Sequence, residues 1–476
     1  MLDTQHERFT PHRSFPDARS RPAIESRQTS EPISTAAAAG LTGWLMLGFG
    51  QAWRRQRRQE QQPDVAPIGV TRHLNDNYPP MKKTILACVA LGTLAGTAHA
   101  QSSVTLFGII DEGIDMVSNN KGGHVYQAAG SVMQGNRFGL TGSENLGGGL
   151  KAVFMLENGF NGNTGGLSQN GLMFGRQAWV GLASPYGTVS FGRQYDSVFD
   201  YAAPFAAGQL GGGVYGAHPG DLDNSNIDYH ANNSIKYASP TIGGFRFGGL
   251  YSLGGTPGNV TNNEIVSFGA AFNHGPVALG AAYLNARNPG TGMFSTAASS
   301  LPETLMTPIY SGFMSANTYQ LIDVGGSYAF GPATLGATYS NAKFMNLGSN
   351  PMPTGAKGPA AGFSRGSTAT FNDVQVNFQF QFSPTLRTLA AADYVTRNAL
   401  AQANGTPVDR AKYLQYELAL DYSLSKRTDV YVLGVYQRAL GQDSTGGPAV
   451  AAITDTIAVS SNGKQFVARV GLRHKF

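Results

Sequence analysis

The residues best placed to do chemistry here are charged side chains set singly into apolar or glycine-rich segments. Arg137, Arg176 and Arg193 sit in Asn136-Arg137-Phe138-Gly139, Phe174-Gly175-Arg176-Gln177 and Phe191-Gly192-Arg193-Gln194. Lys151 and Arg246 occupy comparable segments. Asp196, Asp200, Asp221, Asp223 and Asp228, followed by His230, crowd a polar, glycine-rich stretch from 194 to 232. Separated cations and carboxylates of this kind break no bonds, but they can shape a field across water. Covalent catalysis has no evident foothold. The only cysteine, Cys88, lies near the N-terminus. His124, His218, His230, His274 and His474 are scattered, with no metal-ligand spacing. Gly211-Gly212-Gly213-Val214-Tyr215-Gly216 fits a G-x-G-x-x-G template but lies in a loop-like stretch, not between a strand and a helix, so nucleotide binding is not expected. The sequence is read as that of a non-enzyme without cofactor or metal.

Such charges act only if a scaffold holds them around water, and the sequence offers one with a period of two. In Val374-Gln375-Val376-Asn377-Phe378-Gln379-Phe380-Gln381-Phe382, apolar residues and amides alternate, and Leu414–Leu424 repeats the pattern with carboxylates on the polar side. Successive strand side chains point to opposite faces, so each segment has one apolar and one wet face. Short turn signals fall at 144–149, 184–187, 240–244, 273–276, 330–332, 383–384 and 425–427. Longer polar connections fall near 118–131, 161–171, 194–232, 255–263, 286–317, 346–369, 398–412 and 441–461. Seven turns and eight loops imply sixteen strands, with room for tilted membrane strands of about 10 residues.

Composition decides which face is wet. Charged residues are only 13%, glycines number 62 and aromatics reach 10%. A soluble sandwich also alternates, but sixteen strands would need several, and no interdomain linker interrupts 101–476. The reading is an all-β, transmembrane, antiparallel 16-stranded up-and-down β-barrel, whose closure pairs every backbone group that hydrocarbon cannot satisfy. A strand charge facing mid-bilayer lipid costs roughly 2–4 kcal/mol, so strand arginines away from the rims are driven inward. The alternation suggests the lumen side for Lys151 and Arg246 as well. Phe107, Phe154, Trp179, Phe191, Tyr328, Phe378, Phe382, Tyr416 and Tyr436 are read as lipid-facing or girdle residues.

The leading segment reads differently. Residues 81–100 begin Met81-Lys82-Lys83, continue through an apolar run and end Ala98-His99-Ala100, the pattern of a signal peptide cleaved after Ala100. Residues 1–80 are read as a non-native or disordered N-terminal extension ahead of a true start at Met81, with an inner-membrane anchor over 36–53 as the alternative. The first 100 residues hold 12 basic and 8 acidic side chains, leaving 22 and 21 for the rest. The pI of 9.1 therefore does not reflect a nucleic-acid-binding face, and no nucleic-acid partner is expected.

Val104-Thr105-Leu106-Phe107-Gly108, the run Asn136–Ala152, Phe174-Gly175-Arg176-Gln177-Ala178-Trp179-Val180-Gly181-Leu182, Phe191-Gly192-Arg193-Gln194-Tyr195 and a last strand ending on Phe476 stand out as motifs. Together they resemble the trimeric general porins of Gram-negative outer membranes. The likeness covers 101–476. It implies a homotrimer of barrels in outer-membrane lipid, each a water-filled channel for passive diffusion of ions and small hydrophilic solutes, with an inward-folded third loop at Gln194–Asn232. It also implies a basic wall of Arg137, Arg176 and Arg193, with Lys151 and Arg246 as further candidates. Facing it across the constriction would be Asp196, Asp200, Asp221, Asp223 and Asp228. Phe476 is similar to the signal read by outer-membrane assembly machinery. Where related porins often carry a third basic residue before the Asn232-Asn233 pair, this chain has Tyr229 and His230, so that part of the positive row is expected to be weaker or switchable with pH. The rivals are a non-conducting surface barrel for adhesion or attachment, and an outer-membrane hydrolase.

Overall fold

The structure, a computed structural model, describes residues 102–226, 229–294, 307–353 and 355–476. The expectations for 1–80 and for the signal peptide at 81–100 lie outside the described residues. Period-two segments become strands of one closed antiparallel sheet. The first strands are β1 (Ser103–Asn120), β2 (Gly123–Gly130, resumed at Arg137–Gly147), β3 (Leu150–Gly159), β4 (Gln177–Ser184) and β5 (Gly187–Gln194). After the longest connection come β6 (Ala231–Ala238), β7 (Phe245–Ser252), β8 (Ile265–His274), β9 (Val277–Arg287), β10 (Thr318–Phe330) and β11 (Ala333–Met345). The remainder are β12 (Ala369–Gln381), β13 (Leu386–Arg397), β14 (Ala411–Ser423), β15 (Thr428–Gly441) and β16 (Lys464–Lys475).

Closure is made by β1 against β16, in register from Ile109↔Lys475 to Val117↔Val467. Phe476 completes the seam. Its N–H donates to the Gly108 carbonyl, and its own carbonyl accepts from Gly108 N–H, each at 3.0 Å. The Phe476 ring covers Gly108, where a Cβ would lie 2.2 Å from the ring. A sheet sealed in this way leaves no edge for lipid to strip of hydrogen bonds. No helix among the described residues is long and apolar enough to cross a membrane.

The two faces sort as the alternation requires. On β12, Val374, Val376 and Phe378 are exposed on the outside, while Asp373, Gln375 and Asn377 are buried on the inside. On β1 the outward set is Val104, Leu106, Ile110 and Ile114, against buried Asp111 and Asp115 within. Phe107 and Trp179 depart from their expected placement. Phe107 packs over Gly139 on the inner side, and Trp179 Nε1 donates to Gln177 Oε1 at 3.0 Å. An indole or phenyl ring suits either face near a rim, so aromatic identity did not decide its direction.

One connection differs from its expected length. The polar run at 118–131 is not a loop: β1 continues to Asn120 and turns back over Lys121 and Gly122, both at positive φ (53° and 100°). Two consecutive positive-φ residues make the tight hairpin turn whose twist matches the flanking strands. The irregular stretch comes later, at 131–136, where β2 breaks between its two runs. Buried apolar side chains collect beneath the long loops at one rim, around Phe294, Tyr310, Phe313, Tyr319, Phe344 and Phe371.

Candidate channel constriction

The third loop, between β5 and β6, enters the barrel and is tied to its wall along most of its length. It opens with the short helix α1 (Ser197–Tyr201), capped by Asp196, whose carboxylate accepts from Val198 N at 2.7 Å and Phe199 N at 3.2 Å. Tyr201 then lies against glycines of the wall; a Cβ at Gly280 would sit 1.9 Å from the Tyr201 carbonyl oxygen. Further on, Asn377 Nδ2 donates to the Phe205 carbonyl at 2.9 Å, and Ala207 N–H to Gln375 Oε1 at 2.6 Å. Val214 N–H donates to the Val132 carbonyl at 2.8 Å, so the break in β2 supplies a free backbone acceptor to the loop. Tyr215 Oη donates to Asp115 at 2.6 Å, and Gln415 Nε2 to the Ala217 carbonyl at 2.8 Å. Lumen-facing amides and carboxylates thus meet loop backbone groups that burial would otherwise leave unsatisfied.

Between this loop and one sector of wall lies a cavity of about 150 Å³. The loop contributes Gly208–Gly211, Val214 and Asn226; the wall side includes Ser131–Arg137 and Arg176. Arg387 from β13, Arg473 from β16 and Asp455 from the last long loop complete it.

The expected basic residues divide. Arg137 and Arg176 both line this space and converge on one carboxylate of β3, with Arg137 Nη1 3.3 Å and Arg176 Nε 3.2 Å from Glu157 Oε1. Arg193 does not line it: the side chain is buried, donating from Nε to the Gly175 carbonyl at 2.7 Å and from Nη1 to Asn232 Oδ1 at 2.6 Å. Lys151 is exposed beside a short turn, six residues from Glu157 along β3. Arg246 faces inward but holds the loop, donating to the Asp200 carbonyl at 3.2 Å with its guanidinium 5.3 Å from the Tyr201 ring.

Among the described residues, none of the expected loop carboxylates lines the cavity that holds Arg137 and Arg176. Asp196 caps α1 and accepts from Asn224 at 2.7 Å; burial pushes its carboxyl up to about 6. Asp200 pairs with Lys236 of β6. Asp221 accepts from Asn226 N–H at 2.9 Å, and Asp223 holds His218 Nδ1 at 2.5 Å. These groups turn toward the loop itself or the far wall, because a docked loop must satisfy its own polar groups first. Asp228 lies outside the described residues. His230 is buried beside the Tyr195 ring, and burial together with Arg193 and Arg176 holds its imidazole well below the usual range. That direction disfavours the charged imidazole that the expected switch needs.

Sequence reasoning missed Arg387 and Arg473, although the alternation carried the signal. Arg473 and Arg469 occupy the face of β16 opposite Leu472 and Val470. Arg387 pairs with Asp421 at 2.7 Å and Arg473 with Asp429 at 3.1 Å. It also missed Lys236, and the buried Arg469, which binds Asp115 at 2.8 Å and Asp111 at 3.3 Å behind the site. The chain also carries a Gly-x-Ser-x-Gly match at Gly362–Gly366. It lies in a long connection, with Ser364 Oγ donating to the Gln402 carbonyl at 2.9 Å, and not at a strand-to-helix elbow.

Comparison with known proteins agrees with this architecture. Residues 87–442 match the family model described as Gram-negative porin. An outer membrane porin protein of Bordetella pertussis is 29% identical over 419 residues, covering 83% of this chain and 100% of the relative. Outer membrane porin protein 32 of Delftia acidovorans is 31% identical over 299 residues, 59% of this chain and 77% of the relative. Among solved structures, an anion-selective porin from Comamonas acidovorans superposes with a TM-score of 0.56 at 22% identity, over 79% of this chain and 100% of that one. The trimer form of an outer membrane protein of Vibrio cholerae gives 0.52 at 15% identity, over 79% and 99%. Barrel, inward loop and sequence likeness share one explanation: this chain belongs to the Gram-negative porins and is a channel of the outer membrane.

Proposed function

We propose that the channel passes small hydrophilic solutes without catalysis and favours anions, with Arg137, Arg176, Arg387 and Arg473 setting the preference at the narrowest part. The observation that carries this reading is an asymmetry of exposure. Side chains of Arg137 and Arg387 are 17% and 40% exposed, whereas their partners Glu157 and Asp421 are 4% and 8% exposed. Arg137 and Arg387 are thus more exposed than the carboxylates they pair with, which favours anions where these side chains meet water. Selection in a polar pore follows its width and the charges that line it. The Comamonas acidovorans porin of similar fold is anion-selective, in keeping with this reading. Assembly as a homotrimer, with Phe476 as the mark read by the assembly machinery, belongs to the same proposal, supported by the trimer form of the Vibrio cholerae neighbour and by the place of Phe476 at the seam.

The test is the zero-current potential of the purified protein in a planar bilayer under a potassium chloride gradient. The expected sign is that of chloride permeating faster than potassium. A potential of cation-selective sign overturns the proposal.

A further inference from the structure

Between the third loop and strands β10 and β12–β14 lies a cluster of polar groups that does not line the cavity described above. His218 of the loop meets Asp373 of β12 and Asp393 of β13, all buried, with one donor atom from each inside a mutual separation of 4.8 Å. Asp223 and Asp323 join them, and Glu417 of β14 lies nearby; all three are buried. Around one imidazole there are thus five carboxylates among the described residues, and neither an arginine nor a lysine forms an ion pair with any of them. Buried carboxylates so arranged repel one another and need a cation or protons.

The second observation is that ligand capacity is left over. Both oxygens of Asp373, a residue only 2% exposed, lack a hydrogen-bond partner, and so do both oxygens of Glu417. Buried carboxylate oxygens are ordinarily satisfied, and those that are not ask for an explanation. The histidine is also oriented as a ligand. Its Nδ1 is held by Asp223 at 2.5 Å and lies 3.7 Å from Asp373 Oδ2, while Nε2 faces Asp393 Oδ1 at 3.8 Å and Thr338 Oγ1 at 3.4 Å. A carboxylate on one ring nitrogen fixes the tautomer that offers the other nitrogen to a metal.

We propose that His218, Asp373 and Asp393 bind a divalent transition-metal cation, Zn2+ or Mn2+, which pins the third loop to the barrel wall. One imidazole and two carboxylates form a three-ligand set with a further position for water or the Thr338 hydroxyl. The imidazole favours these ions over the harder Ca2+ and Mg2+. Metal–ligand bonds of about 2.0–2.2 Å would draw the donors inward by roughly an ångström from their present separation. Because His218 is the loop's only contribution to this set, the ion links the loop to two wall strands, and its charge offsets the surplus carboxylates. The inference does not depend on which ions the channel prefers.

The experiment uses the whole purified protein, stripped with EDTA, dialysed into metal-free buffer and titrated with Zn2+ or Mn2+. Bound metal per chain is counted by plasma mass spectrometry, and thermal unfolding is followed by circular dichroism. The expected result is one ion per chain, a raised melting temperature, and a mixed nitrogen and oxygen shell in X-ray absorption of the Zn2+ form. Asp373→Asn and His218→Asn should lose the stoichiometric ion, while Asp409→Asn, at an exposed loop position, should keep it. Wild-type protein that takes up no stoichiometric metal overturns the proposal. So does full metal retention by both site variants, or an absorption spectrum without a nitrogen ligand.

Discussion

A guanidinium influences a passing ion only as far as water can see it, and by that measure the arginines of this channel are not equivalent. Arg387 is the most exposed of the ion-paired arginines and Arg193 is buried against Gly175 and Asn232. Arg387→Ala and Arg137→Ala should each lower the anion-to-cation permeability ratio. Removing one charge a few ångströms from the permeating ion is worth about 1 kcal/mol in bulk-like water, or roughly fivefold at most. Arg193→Ala should leave the zero-current potential unchanged and instead lower stability by roughly 1–3 kcal/mol, since it strips partners from buried acceptors. Calorimetric melting separates that outcome from a selectivity effect. Asp196 gives a pH prediction. Its folded pKa, about 6, lies above the ordinary aspartate value of 3.8, so its stabilising contribution is fully present below 3.8 and is lost as pH rises through about 6. The difference is of order 3 kcal/mol. Asp196→Asn keeps an acceptor for the helix cap and should flatten the melting temperature between those limits; an unchanged pH dependence would contradict the assignment. At this scale the alternation of residues told which face a side chain takes. It could not tell whether that face met water or the loop, which is why Arg193 and the loop aspartates ended in structural contacts.

Among elements, the third loop and the wall that receives it decide the size of the passage. The wall makes room for Tyr201 by omitting side chains, and at Gly280 even a methyl group would collide with the loop backbone. Gly280→Val should push the loop off β9 toward the passage and lower single-channel conductance. Gly434→Ala, whose new Cβ would meet only Phe466 at 3.7 Å, should leave it unchanged. The strands themselves were legible because β12 from Val374 and β14 from Leu414 alternate between apolar outward residues and mostly polar inward ones, and all seven short turns fall where glycine, proline and serine mark them. The hairpin at Lys121–Gly122 was hidden. Its flanks, Ser118-Asn119-Asn120 and Gly123, have loop composition but pair as strand because β1 is held on its other side by β16. The path of the third loop was not legible either, since the wall groups that hold it, such as Gln375, Asn377 and Gln415, are distant in sequence and become its partners only when the barrel closes.

Taken as a whole molecule, the barrel is a sheet closed at one seam, where the last residue lies across the first strand. Phe476→Ala uncovers Gly108 and removes the terminal aromatic ring. It should reduce the amount of folded, heat-modifiable barrel recovered from outer membranes while leaving the conductance of the surviving channels at the wild-type value. Equal recovery would contradict a role for Phe476 in assembly. The account rests most heavily on an apolar outside that meets lipid and a polar inside that stays open past the docked loop. Stepwise conductance of the purified protein in planar bilayers tests this most directly: the account predicts ohmic openings that arrive in groups of three equal units, and correctly folded protein that inserts but leaves the bilayer silent would contradict it.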